Sequence, residues 1–240
     1  MRPVETKRLA AFILLLVWIM SKKDIVGRSW KYLLKRDRDH LRWTTIIIGV
    51  IRVRESDARN PDRVKEISDQ AAEMIAGFRR SWLGITRGRH LAGLVWRGVF
   101  ELELKREVAP EGHHHATLES MGCDMEPLAD DERYLIVHTH FVVAFPDELD
   151  GENFADELRS VVQSIWTGKW QTQVKGLHAK KTVAESITNL YSYSYKRRLQ
   201  YSTGGLGDVP VKFGDGYGWL WSRFVLKVYD SFVFEFRSKK

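Results

Sequence analysis

Apolar residues along the chain follow two spacings, and these predict the order of its strands and helices. β-Branched and aromatic residues dominate three segments, Trp43 to Val53, Leu94 to Lys105 and Tyr134 to Phe145. Such composition is typical of strands in a sheet, and the first segment is so continuously apolar that both of its faces should be covered. The third segment is closed by Pro146 and is predicted to lie inside the sheet rather than at its edge.

Between and after these strands the apolar residues recur at helical spacing. Asn60-Pro61 provides an N-cap followed by proline at the first helical position, and an apolar stripe then runs from Val64 to Trp82. Phe154 to Trp166 is a second amphipathic segment. A third helix is predicted over Thr182 to Tyr195, because Thr182 and Glu185 have the spacing of a capping box.

The remaining patterns predict a loop and some shorter strands. Ala109 to Asp131 is polar and is expected to be a loop, with His113-His114-His115 as a solvated tract rather than a metal cluster. Val174 to Lys181 is predicted to be a short basic strand. The alternation in Trp219 to Val228 and in Phe232 to Phe236 predicts two paired strands that extend the sheet.

The N-terminal part of the chain carries a short apolar run, Leu9 to Met20, between basic residues. Its twelve residues fall short of the about twenty that a membrane-spanning helix needs. No small-residue cleavage site follows the run, so it does not match a secretory signal. A helix buried against the domain or a partner subunit is favoured over a membrane role. The chain is accordingly divided into an N-terminal helical extension, residues 1–39, and one domain, residues 40–240.

Composition and charge narrow the function only a little. The 240 residues include 38 Lys and Arg against 31 Asp and Glu, a formal charge of +7 that suits a polyanionic partner such as nucleic acid. Cys123 is the only cysteine, which excludes an internal disulfide and favours a reducing, cytoplasmic location. No Gly-Lys-Ser or Gly-Lys-Thr follows the glycines between Gly204 and Gly218, so no nucleotide-binding P-loop is expected.

The strongest candidate chemistry lies on the third strand. Side chains alternate between the faces of a strand, so His138 and His140 project from the same side, together with Ile136 and Val142. Two imidazoles held in this way can share a divalent metal ion. The alternative is a pair of buried histidines whose hydrogen bonds are satisfied by nearby carbonyl groups.

The surroundings of this His-x-His strand resemble a known family. An apolar strand, a helix and a Glu-bearing strand precede it, and about fifty residues downstream lies a tyrosine-rich helix that ends in Lys196-Arg197-Arg198. This order resembles the HUH endonucleases, most closely the rolling-circle replication initiator proteins of plasmids, over roughly two thirds of the chain, from His40 to Tyr201. The resemblance implies an α+β fold with helices packed on a central antiparallel sheet. It also implies that the histidines bind Mg²⁺ or Mn²⁺.

The family places a glutamate on the strand before the histidine strand, as a third metal ligand. Here Glu101 and Glu103 share one face of that strand, and Phe100, Leu102 and Leu104 share the other. Glu103 matches the family position best and is the expected third ligand, with Glu101 as the second choice. The alternative is that both glutamates face solvent.

In this family a helix-borne tyrosine attacks a DNA phosphodiester, and two patterns fit the present helix. A tyrosine followed three residues later by lysine is matched by Tyr193 and Lys196. Two tyrosines four residues apart are matched by Tyr191 and Tyr195. Tyr193 is placed first because the lysine is retained, and Lys196 would favour the phenolate or hold a phosphate oxygen. The one-tyrosine and two-tyrosine mechanisms both stay open.

The resemblance therefore implies a rolling-circle replication initiator that nicks DNA in a sequence-specific, metal-dependent reaction and transfers the strand through a 5′-phosphotyrosine. Its partner would be a replication origin, single-stranded or extruded, with no nucleotide cofactor. A homo-oligomer is left open. Five basic residues are expected to follow the DNA strand, namely Lys175, Lys180, Lys181, Arg197 and Arg198. The alternatives are a non-catalytic DNA-binding module, or a relaxase or single-strand transposase of the same superfamily.

Overall fold

The computed structural model describes residues 31–88, 91–105, 113–146, 150–194, 201–202, 218–233 and 235–238. The apolar run Leu9 to Met20 and the glycines from Gly204 to Gly216 lie outside these ranges. Among the described helices, none is long and apolar enough to cross a membrane.

A mostly antiparallel sheet forms the centre of the fold, which confirms the α+β class and the three long strands. Its strands run in the order β4-β1-β3-β2, and two short strands, β5 and β6, both pair with β2. Of the described strands, only β5 runs parallel to its neighbour. The histidine strand β3 lies between β1 and β2, so its predicted interior position is also confirmed. The strands are β1 Leu41–Arg54, β2 Val95–Lys105, β3 Glu132–Ala144, β4 Thr172–Gly176, β5 Tyr201–Ser202 and β6 Glu235–Arg237.

The longest helix and the tyrosine-bearing helix begin at the caps that the sequence indicates. Asn60 Oδ1 accepts the backbone N–H of Asp62 at 2.9 Å, at the start of the longest helix. Thr182 and Glu185 form the predicted capping box, with the Thr182 N–H donating to Glu185 Oε2 at 2.8 Å. The hydrogen bonds from Thr182 lower the pKa of the Glu185 carboxyl. The helices are α1 Lys31–Leu34, α2 Glu55–Arg59, α3 Pro61–Arg87, α4 His113–Ser120, α5 Gly151–Ile165, α6 Val183–Ser194 and α7 Gly218–Tyr229.

The main hydrophobic core covers one face of the sheet. Helices α3, α5 and α7 pack their apolar sides there against β1, β2 and β3. Trp82 of α3 is fully buried, and its ring meets the ring of Phe141 on β3 edge to face, at a centroid distance of 4.7 Å. Aromatic contacts of this kind hold β3 firmly from the side opposite its histidines.

Two segments differ in type from the sequence prediction. Two predicted strands differ in their bounds: β4 covers Thr172–Gly176 rather than Val174 to Lys181, and β6 covers Glu235–Arg237 rather than Phe232 to Phe236. Trp219 to Val228 is not a strand but lies within helix α7, and its buried residues, Trp221, Phe224, Val225 and Val228, recur at helical spacing. The apolar residues of this segment satisfy both periods, and packing against the core selected the helix. Within the predicted loop after Ala109, helix α4 occupies His113–Ser120, because Leu118 packs against Ile136 of β3.

Smaller apolar clusters cover the two ends of the histidine face. One joins Leu118 of α4 to Ile47 and Ile136. The other brings Ile187 of α6 and Leu33 of α1 onto the strands, around Val99 and Val142; its members are Leu33, Leu41, Val95, Val99, Val142, Ala144, Leu177 and Ile187. The histidines lie between these two clusters. Leu33, within the predicted extension, therefore packs directly on the domain.

Candidate metal centre

The register of β2 against β3 brings one glutamate to the two histidines. Glu101 is paired with His138, and Val99 is paired with His140. Since paired residues of an antiparallel sheet project from the same face, the Glu101 carboxylate points to the same side as both imidazoles.

The three side chains converge on one point. Glu101 Oε2 lies 3.3 Å from His140 Nε2 and 3.9 Å from His138 Nε2. One ligand atom from each residue falls within 4.8 Å of the other two. The residues are 4%, 8% and 9% exposed for Glu101, His138 and His140. A carboxylate and two imidazoles are thus held together at a nearly enclosed position on a rigid strand pair.

This arrangement fits a divalent metal ion. Ligands about 2.1 Å from a common ion lie roughly 3.0 to 3.4 Å apart when they occupy adjacent octahedral or tetrahedral positions. The distances to Glu101 Oε2 need only a small contraction to meet this range. No hydrogen bond from the described residues reaches that buried oxygen, and a bound cation would satisfy it. The mixed nitrogen and oxygen set suits Mn²⁺ better than Mg²⁺, which prefers oxygen ligands.

Glu103, the expected third ligand, lies outside this group. It is paired with Ile136, which lies two residues before His138 on β3. Its Oε1 atom is 3.2 Å from the Nζ atom of Lys105, which is itself buried. Glu101, the second choice, therefore replaces Glu103 in the candidate site, because the strand register decides which carboxylate faces the imidazoles.

Strand β1 adds two residues that the sequence reasoning did not single out. Thr45 is paired with His140, and its Oγ1 atom is 2.9 Å from His140 Nδ1. The Trp43 ring stacks on the His140 ring at a centroid distance of 5.3 Å, with 7° between the planes. Trp43 and Thr45 are two residues apart on a predicted strand, so the alternation of side chains predicts that they share a face. It does not predict that this face lies next to His140, because the pairing of β1 with β3 is not a local feature of the sequence.

The tyrosine-bearing helix lies on the histidine face. Ile187 of α6 packs in the same cluster as Val99 and Val142, whose strands flank His140. The α6 backbone continues from Ile187 through Tyr191 and Tyr193. The side chains of these two tyrosines lie outside the described residues, as do Tyr195, Lys196, Arg197 and Arg198 entirely.

Three of the basic residues expected to bind DNA are exposed near this face. Lys175 of β4 is paired with Trp43, so it projects from the histidine side of the sheet. Lys180 and Lys181 lie between β4 and α6. The Arg38 guanidinium donates hydrogen bonds to the carbonyl oxygens of Ala179 and Lys181, which anchors this basic segment.

Among the described residues, Glu101, His138 and His140 form the only group of three or more metal-binding side chains. His115 is not part of this group, and the side chains of His113 and His114 lie outside the described residues. Comparison of the chain with family models, curated proteins and solved structures finds no match.

Proposed function

We propose that this protein nicks and transfers DNA strands as a rolling-circle replication initiator, using a metal ion held by Glu101, His138 and His140. The observation that carries the proposal is the shared location of two features. The His-His-Glu group and helix α6, which bears the tyrosines, lie on the same face of the sheet. The remaining face is filled by the main core.

A tyrosine of α6 supplies the nucleophile in this proposal. Its phenol oxygen bonds to the phosphorus of the scissile phosphodiester and loses its proton, while the 3′ oxygen leaves and gains one. The products are a 5′-phosphotyrosine and a free 3′-hydroxyl, and the energy of the broken bond is retained in the covalent link. When bound, the metal ion neutralises negative charge that develops on the phosphate oxygens. Phenol has an ordinary pKa near 10, so a neighbouring cation is needed to favour its ionised form.

The chain also presents positive charge where a DNA strand would pass. Three exposed lysines lie on edge strand β4 and on the segment that connects it to α6, namely Lys175, Lys180 and Lys181. Phosphate contacts of this kind are broken by salt, so binding should weaken steeply as the salt concentration rises. Replacing Lys175 by Ala should reduce the slope of log affinity against log salt by about 1.

The test is covalent capture of DNA. The full-length protein is incubated with a library of single-stranded oligonucleotides and Mn²⁺, and the products are examined by intact-protein mass spectrometry and peptide mapping. We expect an adduct of protein and DNA on Tyr191, Tyr193 or Tyr195, abolished by the matching Tyr→Phe change and by His138→Ala.

Tyr32 provides a matched control, because it is exposed on α1 and does not belong to α6. Tyr32→Phe should leave the adduct unchanged. DNA binding should survive in all the Tyr→Phe variants. If Mn²⁺ binds and no tyrosine forms an adduct with any oligonucleotide, the nicking function is refuted and a non-catalytic DNA-binding module takes its place.

A further inference from the structure

His140 is held by two residues of β1 as well as by its own strand. The Thr45 hydroxyl meets its Nδ1 atom at 2.9 Å, and the Trp43 ring lies nearly parallel to the imidazole. Neither residue belongs to the Glu101, His138 and His140 group. Both come from the strand on the opposite side of β3 from Glu101.

These contacts separate the two nitrogens of the imidazole. Nδ1 faces Thr45, and Nε2 faces Glu101 Oε2 at 3.3 Å. A neutral imidazole carries one N–H group and one lone pair, and a metal ion takes the lone pair. When the Thr45 hydroxyl accepts the Nδ1–H, the lone pair is on Nε2 and is directed toward the carboxylate.

The stacked indole of Trp43 restrains the orientation of the His140 ring plane. With 7° between the planes, rotation of the imidazole about its bond to Cβ would drive its edge into the Trp43 ring. The plane of His140 is thereby kept in the orientation that directs Nε2 toward Glu101. His138 meets the His140 ring edge to face, at a centroid distance of 4.7 Å, so loss of this orientation would also disturb the second ligand.

We propose that Thr45 and Trp43 are positioning residues of the metal site: Thr45 accepts the Nδ1–H that His140 carries when its Nε2 binds the metal, and Trp43 fixes the ring plane. The inference rests on the proposed metal-dependent function of the same site. Hydrogen-bonding partners of metal-bound histidines typically change metal affinity by about 10- to 100-fold when they are removed.

The matched variants are Thr45→Val and Thr45→Ser. Valine has the shape of threonine without the hydroxyl, and serine keeps the hydroxyl without the methyl group. In a titration of the full-length protein with Mn²⁺, we expect Thr45→Val to bind about 10- to 100-fold more weakly and Thr45→Ser to stay close to the wild type. Trp43→Leu should weaken binding more than Trp43→Phe, which keeps a flat ring.

A second measurement does not depend on variants. The ¹⁵N shifts of His140 in the wild-type protein with Zn²⁺, a diamagnetic substitute, report which nitrogen is protonated. We expect the proton on Nδ1 and the metal on Nε2. Metal on Nδ1, or equal Mn²⁺ affinity in Thr45→Val and wild type, would overturn the role of Thr45. A wild type that binds neither ion would overturn the metal site and the nicking function together, so the two failures can be told apart.

Discussion

Exchanging each of the two glutamates of β2 for glutamine separates a metal ligand from a structural ion pair. Glu101 faces the histidines, whereas Glu103 faces the buried ammonium group of Lys105. The two residues are on the same strand, on the same face and two positions apart. Glu101→Gln and Glu103→Gln are therefore matched changes with opposite expected effects on metal binding and on stability.

For Glu101→Gln the expected loss is in metal affinity. Loss of a hydrogen-bonding partner of a ligand can weaken metal binding about 100-fold. Removing a ligand itself should therefore weaken metal binding at least as much. At a Mn²⁺ concentration 100 times the wild-type Kd, the ion stabilises the folded wild type by about 2.7 kcal/mol, which corresponds to a Tm increase of about 5–11 °C. The same concentration stabilises the variant by only about 0.4 kcal/mol, or about 1 °C. Without metal, the variant should be no less stable than the wild type, since it lacks a buried carboxylate.

For Glu103→Gln the expected loss is in stability. The change leaves the buried Lys105 ammonium without its charged partner at 3.2 Å. The amide oxygen of glutamine can still accept a hydrogen bond, so the free energy of unfolding should fall by about 1–3 kcal/mol. The increase in Tm on adding Mn²⁺ should equal that of the wild type.

The assay is thermal unfolding of both variants and the wild type by circular dichroism, with Mn²⁺ and with chelator. A Mn²⁺-dependent Tm increase that survives in Glu101→Gln and disappears in Glu103→Gln would refute the ligand assignment. It would restore Glu103 as the third ligand and show that the β2–β3 register does not govern the site.

Three further substitutions test how the sheet and the core support the site. Gly98→Ala should destabilise the fold and weaken Mn²⁺ binding together, because its Cβ would overlap the backbone oxygen of His140; a stable variant with normal metal affinity would contradict this. Trp82→Ala should lower the free energy of unfolding by about 3–5 kcal/mol in denaturant titrations, since the ring is fully buried, and a loss below about 1 kcal/mol would contradict its place in the core. Stability should also fall in acid: hydrogen bonds from Arg52, from the Ala129 backbone and from Arg54 lower the pKa of Glu132 from 4.5 to about 2. The carboxylate's contribution is complete above pH 4.5 and is lost as the pH falls toward about 2, so Glu132→Gln should flatten the pH dependence of Tm in that window.

Local patterns in the sequence were sufficient for the elements that carry the histidines. The period-two alternation of β3 places His138 and His140 on one face, and the Asn60-Pro61 cap predicts the start of α3. The Thr182 and Glu185 box likewise marked the beginning of α6. Each of these features depends on residues within one element, so a single chain segment contains the information.

Contacts between segments that are distant in the sequence cannot be predicted from such local patterns. Glu101 and Glu103 share a face, and only the pairing of β2 with β3 decides which of them meets His138. Thr45 lies ninety-five residues from His140, and no local pattern links them. The sequence predicts a strand where helix α7 lies for a related reason: its apolar residues permit either period, and packing on the core selects the helix.

One face of β3 packs in the main core and the other carries the histidines, which explains how a site of this kind can be both buried and rigid. Phe141, the residue after His140, is fully buried on the other face against Trp82. A shift of β3 by one residue in register would turn every side chain of its core face, Phe141 among them, toward the other face. The main core thus holds the strand whose polar face bears the ligands. Metal binding should consequently shift side chains and leave the backbone of β3 in place, since the ligand atoms lie within 4.8 Å of one another on this strand pair.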